Sequence, residues 1–416
     1  MKQLVKASAL ALSLVAASAA HAGGVAGGNA NSNWTIYGWQ NWSLESVDNG
    51  DRDTTRINNN AANIGFSAAV DTGMMVGGEA MMVNFRCEQF TYHNRYNGYT
   101  NWCNRNSKIS LSGSFGEIMF GQWLLPYNEM VAQWVDPFYD AGADSHTSLM
   151  GNIGYGNQFF YNGSFGQSDA FNRRQEEVIQ YFSPNMNGVT FRVATTNANQ
   201  SGSGEEVAIT DALGDTNDLD PRIWSMGIAY ETTLASGDNL WLAATYESHD
   251  EWSAVTYDCA DSDDKSYRLA GRYIKQWGNG QSTQVSAMWE TLEYDWEECA
   301  SGPASMAAIA TGDNIDVERD AFMISAKQTF GNGFDMRFSY MDADKLEVSG
   351  SDLSDSDAKA YNIGMFYTMP AGTELRLTYS KVDNEDASNY DFGIGGSGAA
   401  VGKDAKMWAL GIVQWF

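Results

Sequence analysis

From Trp34 onward the chain alternates between apolar and polar positions. In Val189-Thr190-Phe191-Arg192-Val193-Ala194 the odd positions are apolar and the even ones small or polar. Phe334-Asp335-Met336-Arg337-Phe338-Ser339-Tyr340, Leu375-Arg376-Leu377-Thr378-Tyr379 and Tyr267-Arg268-Leu269 repeat the pattern. Successive side chains on a strand point to opposite faces, so each segment has one apolar face and one polar, often cationic, face. Short turns are expected at 71–73, 115–116, 184–188, 235–239, 277–280, 330–333 and 370–372. Between them lie long polar stretches at 47–60, 87–106, 123–173, 197–221, 249–265, 296–317, 344–357 and 384–403. Seven turns and eight loops require sixteen strands. The six prolines (126, 137, 184, 221, 303 and 370) all fall in connections, as strand interiors that need their ladder N–H demand. Alternation is unclear only from Met74 to Arg86 and from Glu176 to Gln180.

Sixteen faces carrying Phe, Tyr, Met and Leu would leave a large sticky surface in water, and lipid resolves that. The reading is all-β: a 16-stranded antiparallel transmembrane β-barrel with short periplasmic turns and long extracellular loops. Met407 to Phe416 alternates to the last residue and is expected to pair with the first strand, Trp34 to Ser46, so that no edge is left.

Residues 1–22 read as an address. Lys2 and Lys6 precede an apolar run, and Ala20-His21-Ala22 gives a small-residue exit, the three parts of a cleaved signal peptide. Residues 23–416 are then one barrel domain. Export to an oxidising compartment changes the reading of the four cysteines: Cys87–Cys103 within one loop and Cys259–Cys299 between neighbouring loops are expected as disulfides rather than free thiols. CxxC spacing and paired histidines are missing, so no metal site is expected.

Charge narrows the function. The chain carries 25 Lys and Arg against 52 Asp and Glu, a net −27, which excludes a nucleic-acid partner. Segments 197–220, 249–265, 293–318 and 342–357 hold 25 of the acids. Loosely bound Ca or Mg could bridge them to lipid phosphates, but the simpler reading is a solvated surface, and no cofactor is expected. An enzyme is not expected either. After cleavage the histidines are His93, His146 and His249, all read as loop residues with no nucleophile constellation.

Three features resemble the general, non-specific porins of the Gram-negative outer membrane. Trp34-Thr35-Ile36-Tyr37-Gly38 is similar to the family's opening strand. Arg173 to Gly188, with Val178, Tyr181, Ser183-Pro184 and Gly188, is similar to its strand and turn after the third loop. The terminal Phe416 resembles its assembly signal. The resemblance implies a homotrimer in outer-membrane lipid and lipopolysaccharide, each barrel constricted by an inward-folded third loop, here 123–173. That loop carries Glu129, Asp136, Asp140, Asp144 and Asp169. Carried over by position, Lys108 and Arg174 match basic wall residues, while two other wall cations are replaced by Trp39 and Asn63. Arg192, Arg268, Arg272, Arg337 and Arg376 fall on polar strand faces and are expected to line the lumen.

Acids facing cations across a narrow aqueous gap orient dipolar solutes and reject apolar ones. The expected function is passive diffusion of ions and small hydrophilic solutes. With two wall cations lost and an acidic loop retained, the pore is expected to prefer cations. The alternative is a substrate-selective channel in which Trp39, Trp42, Trp123 and Trp134 stack a sugar; an adhesin or a barrel hydrolase fits the sequence less well.

Overall fold

The computed structural model describes residues 25–29, 31–91, 102–139, 145–154, 170–199, 202–203, 207–211, 213–299, 314–393 and 395–416. The expected signal peptide, His93, Asp140, Asp144 and Asp169 lie outside the described residues.

Among the described residues, sixteen strands pair antiparallel in chain order and close. They are β1 (Ser32–Asp48), β2 (Asp53–Asn59 continued by Asn63–Val76), β3 (Glu79–Phe90), β4 (Ser107–Gly113), β5 (Gly116–Leu124), β6 (Arg174–Phe182), β7 (Val189–Thr196) and β8 (Arg222–Thr233). There follow β9 (Asn239–Asp250), β10 (Asp261–Gly278), β11 (Gln281–Glu297), β12 (Ile315–Phe330), β13 (Phe334–Ala343), β14 (Ala358–Thr368), β15 (Thr373–Asn384) and β16 (Ala405–Trp415). β16 closes on β1 from Trp39↔Trp415 to Asp48↔Lys406, and Phe416 and Gly38 exchange both backbone hydrogen bonds at 3.0 Å. Full closure removes the unpaired edges that would otherwise invite aggregation.

Period-two alternation sorts the side chains. Leu44, Phe66, Ile109, Phe120, Met226, Leu269, Phe322, Ile363 and Leu410 stand exposed on the outer face. Asn41, Ser225, Arg268, Ser286, Ser325, Ser339 and Arg376 are buried on the inner one. An apolar exterior over a polar interior is stable with lipid outside and water inside.

Two expectations are corrected and one ambiguity is resolved. The β2–β3 hairpin turns at Gly77-Gly78, both at positive φ, rather than at Asp71-Thr72-Gly73. There the Asp71 carboxylate accepts the Gly73 N–H at 2.8 Å and the strand bulges without reversing, so pairing resumes at Met75↔Ala80. Acidic residues expected in loops begin as strand. Asp261, Asp263, Glu293, Asp316 and Glu318 lie on β10, β11 and β12, with Glu293 directly opposite Glu318, because the ladders continue past the apolar band. The unclear alternation after Glu176 is a bulge: Glu177 takes φ 52° and the β5–β6 register shifts between Gly121 and Trp123.

Both expected disulfides are present. Cys87–Cys103 ties β3 to its following loop, and Cys259–Cys299 joins the loops after β9 and β11. No helix among the described residues is long and apolar enough to cross a membrane.

Candidate functional site

The third loop leaves β5 at Leu124 and folds into the barrel through two short helices, α1 (Pro126–Glu129) and α2 (Ala132–Val135). A loop inside a barrel must satisfy its own backbone and that of the wall. Tyr127 does this first. Its N–H donates to Ser225 Oγ at 2.9 Å, its carbonyl accepts from Thr245 Oγ1 at 3.3 Å, and its hydroxyl donates to Glu290 Oε2 at 3.0 Å. Burial pushes the Tyr127 phenol well above its ordinary range, so it remains a donor.

Glu290 is the anchor. Besides Tyr127 it accepts the Gly151 N–H at 2.6 Å, Arg319 Nη2 at 2.7 Å and Arg268 Nε at 3.1 Å. Arg319 also donates to the Leu149 carbonyl at 3.1 Å, and the Arg268 guanidinium sits 4.1 Å over the Tyr127 ring. Carboxylate and both guanidinium groups have no solvent exposure. Wall and loop therefore share one buried ionic cluster. Beyond it, Trp134 stacks on Trp241 with centroids 5.7 Å apart, and Arg272 covers the Trp134 ring at 4.7 Å. Ser325 donates to the Val135 carbonyl, Arg337 Nη1 to the Pro137 carbonyl at 3.0 Å, and Phe138 meets Phe366 edge-on. The loop thus lies along β8–β14.

The wall from β1 to β7 carries a second ionic cluster. Tyr37 OH donates to Glu88 at 2.8 Å, and Arg86 and Arg105 both pair with the same carboxylate. A Cβ at Gly65 would run into the Tyr37 ring, so glycine is required under it. Arg86 lies between the Tyr37 and Trp123 rings, Lys108 between Trp123 and Phe182, and Arg192 over Phe182, at 4.7 to 5.2 Å from the centroids. Arg105 stacks at 5.1 Å on Trp39, the position where the expected wall cation is replaced. Arg105, at the end of the second loop, thus sets a cation against a strand position that carries none.

The predicted residues fare unequally. Lys108 pairs with Glu117 and Arg192 with Glu129, while Arg337 bonds Asp335 at 2.6 Å and Glu374 at 3.0 Å. Arg174 is buried and donates to Asn106 at 2.6 Å, and Arg376 is buried against Asn41. Of the acids, Glu129 is tied to Arg192 and to Trp123 Nε1 at 3.1 Å. Asp136 is buried, its carboxylate accepting the His146 N–H at 2.7 Å and facing His146 Nδ1 at 3.0 Å. Neither is an unpaired lumen acid. The four tryptophans form no path: Trp42 is an even position of β1 and faces outward, whereas Trp123 is buried and Trp134 is covered. His249 is a buried residue of β9 bonded to Glu247 at 3.0 Å, not a loop residue. Sequence reasoning missed Arg86, Glu88, Arg105, Glu290 and Tyr127. The polar even positions of Asn84-Phe85-Arg86-Cys87-Glu88 are the signal that could have placed two of them inside. Among the described residues no group of three or more His, Cys, Asp or Glu side chains is placed to hold a metal ion.

Comparison with known proteins agrees with this architecture. The family described as Gram-negative porin matches residues 7–387. No curated protein gives a match. Among solved structures, an anion-selective porin from Comamonas acidovorans superposes with a TM-score of 0.65 at 18% identity, over 92% of this chain and 100% of that one. Outer-membrane-expressed OmpT of Vibrio cholerae gives 0.57 at 12% identity, over 94% and 100%. OmpF of Salmonella typhi, in complex with daunomycin, gives 0.54 at 13%, over 94% and 100%. At such identities the likeness is one of fold.

Proposed function

The chain belongs to the Gram-negative porin family, and from that premise we propose that it admits ions and small hydrophilic solutes by diffusion, with a preference for anions set on the β1–β7 wall. The family and fold make it a channel of the outer membrane for passive diffusion rather than an enzyme. The observation that carries the finer reading is the way lumen ion pairs face water. Arg86 is 23% exposed against 1% for its partner Glu88, and Arg56 29% against 1% for Glu45. Lys327 and Arg192 likewise stand further out than Asp335 and Glu129. Glu117 and Glu231 reverse the order against Lys108 and Arg272, so the preference is modest. A permeating ion meets the exposed member of each pair first.

This reading replaces the cation preference expected from the loop acids, since Glu129 and Asp136 are engaged inside the protein. A homotrimer embedded among lipopolysaccharide is part of the same proposal. OmpT of Vibrio cholerae has itself been solved in a trimer form. Planar-bilayer recording of the purified protein tests the channel. Stepwise, ohmic conductance without saturable block by any one solute is expected. Absence of steps contradicts the channel, and block by a single sugar contradicts a general pore.

A further inference from the structure

The loop between β15 and β16, described over 385–393 and 395–404, also turns into the barrel. Its Tyr390 and Phe392 are fully buried, packed in one cluster with Leu149 and Met150 of the third loop and with Val47, Val382 and Met407 of the wall. The Asn389 N–H donates to the Gly154 carbonyl at 2.8 Å, and a Cβ at Gly154 would enter the Tyr390 ring. A Cβ at Gly393 would likewise strike Thr147. The two loops are therefore fitted to each other, glycine against side chain, from both sides.

The loop is also built to hold its shape. The Asp391 carboxylate accepts the N–H groups of Phe392, Ser397 and Gly398 at 2.7 to 2.9 Å. Asn384 clamps the base, donating to the carbonyls of Tyr390 and Lys403, both at 2.8 Å. The far side is fastened by one wall residue. Arg56 of β2 donates to the Gly396 carbonyl at 2.8 Å and to the Gly395 carbonyl, while its Nε is oriented by Glu45 at 2.7 Å. Asn49 adds a bond to the Gly398 carbonyl at 3.2 Å. A loop that served as a solvated surface would not be sealed against another loop and latched to the wall.

We propose that this loop, over residues 385–393 and 395–404, forms a second constricting segment beside the third loop, and that Arg56 is the positioning residue that sets the size limit for solutes. The third loop rests on β8–β14, and this loop fills the sector between it and β1–β2. The proposal rests on the channel reading above. It differs from a merely structural role for Arg56 in what it makes solute-dependent. Releasing the loop widens the mouth, so large solutes gain more than small ones.

The test uses the full chain in liposomes, comparing swelling rates in arabinose and in raffinose, with Arg56→Gln, Phe392→Ala and Arg56→Lys. Arg56→Gln and Phe392→Ala are expected to raise the raffinose-to-arabinose ratio by about twofold or more. Arg56→Lys, which keeps a cation beside Glu45, is expected to restore much of the wild-type ratio. Limited proteolysis reports release of the loop independently. Release with an unchanged ratio in both variants overturns the proposal. A wild-type protein that admits neither sugar nor ions overturns the channel reading instead, so the two failures are distinct.

Discussion

Two places in this barrel use the same residue types for different ends. Glu290 accepts from Tyr127 and pairs with Arg268 and Arg319; Glu88 accepts from Tyr37 and pairs with Arg86 and Arg105. The first cluster has no solvent exposure and includes a loop residue, so it fastens the third loop to the wall. In the second, Arg86 keeps 23% of its side-chain surface while Arg105 is nearly buried, so it is Arg86 that water reaches. Identical chemistry becomes a clamp when dry and a lining when wet, because water screens one set of charges and not the other.

Glu290→Gln should have the largest effect, since it leaves two buried guanidinium groups without their countercharge. Breaking a buried ionic cluster from one side costs about 3–5 kcal/mol. Urea unfolding should show this loss, and single-channel records should become noisy as the third loop loosens. Glu88→Gln should cost less, about 1–2 kcal/mol, because water reaches Arg86. Equal losses would erase the distinction between the clusters.

Loss of either disulfide should act differently on the two regions. Cys87 lies between Arg86 and Glu88, and Cys103 two residues before Arg105. Closing a loop of this length stabilises by about 3 kcal/mol in the chain-entropy view. Cys87→Ser with Cys103→Ser should therefore free Arg105 and change ion selectivity, whereas Cys259→Ser with Cys299→Ser should change stability alone. Reversal potentials and thermal unfolding of the two double variants check this.

The two phenols divide the same way, and the smallest effect of all is expected at Tyr37. Tyr37→Phe removes one hydrogen bond from a cluster that water can reach, about 1 kcal/mol or less, whereas Tyr127→Phe leaves a dry carboxylate short of a donor and should cost about 1–3 kcal/mol. Chemical denaturation of both variants decides the order.

How much of this was legible beforehand follows from which solvent each face meets. Lipid demands an apolar residue at every second position, so the sixteen strands and the inward direction of Arg192, Arg337 and Arg376 could be read from the chain. Asp71-Thr72-Gly73 misled because a carboxylate that caps a glycine N–H suits a bulge as well as a turn. The interior imposes no period. That Asp136 turns away to His146, that Trp39 is covered by Arg105, and that Tyr127 finds Glu290 at 163 residues' separation depend on how loops fill the barrel. Residue type picked out Glu129, Asp136 and Arg192 but passed over Arg86, Glu88 and Glu290, whose partners only the packing brings together.

We propose that the wet cluster on the β1–β7 wall, not the acidic loops, sets which ions pass. It is tested most directly by the reversal potential across a KCl gradient kept near 1 M, where the Debye length is about 3 Å and the outer acids are screened. An anion-preferring potential is expected in the wild type, moving toward cations in Arg86→Gln and unmoved by Arg319→Gln. A cation-preferring wild type, or equal shifts in both variants, would contradict it.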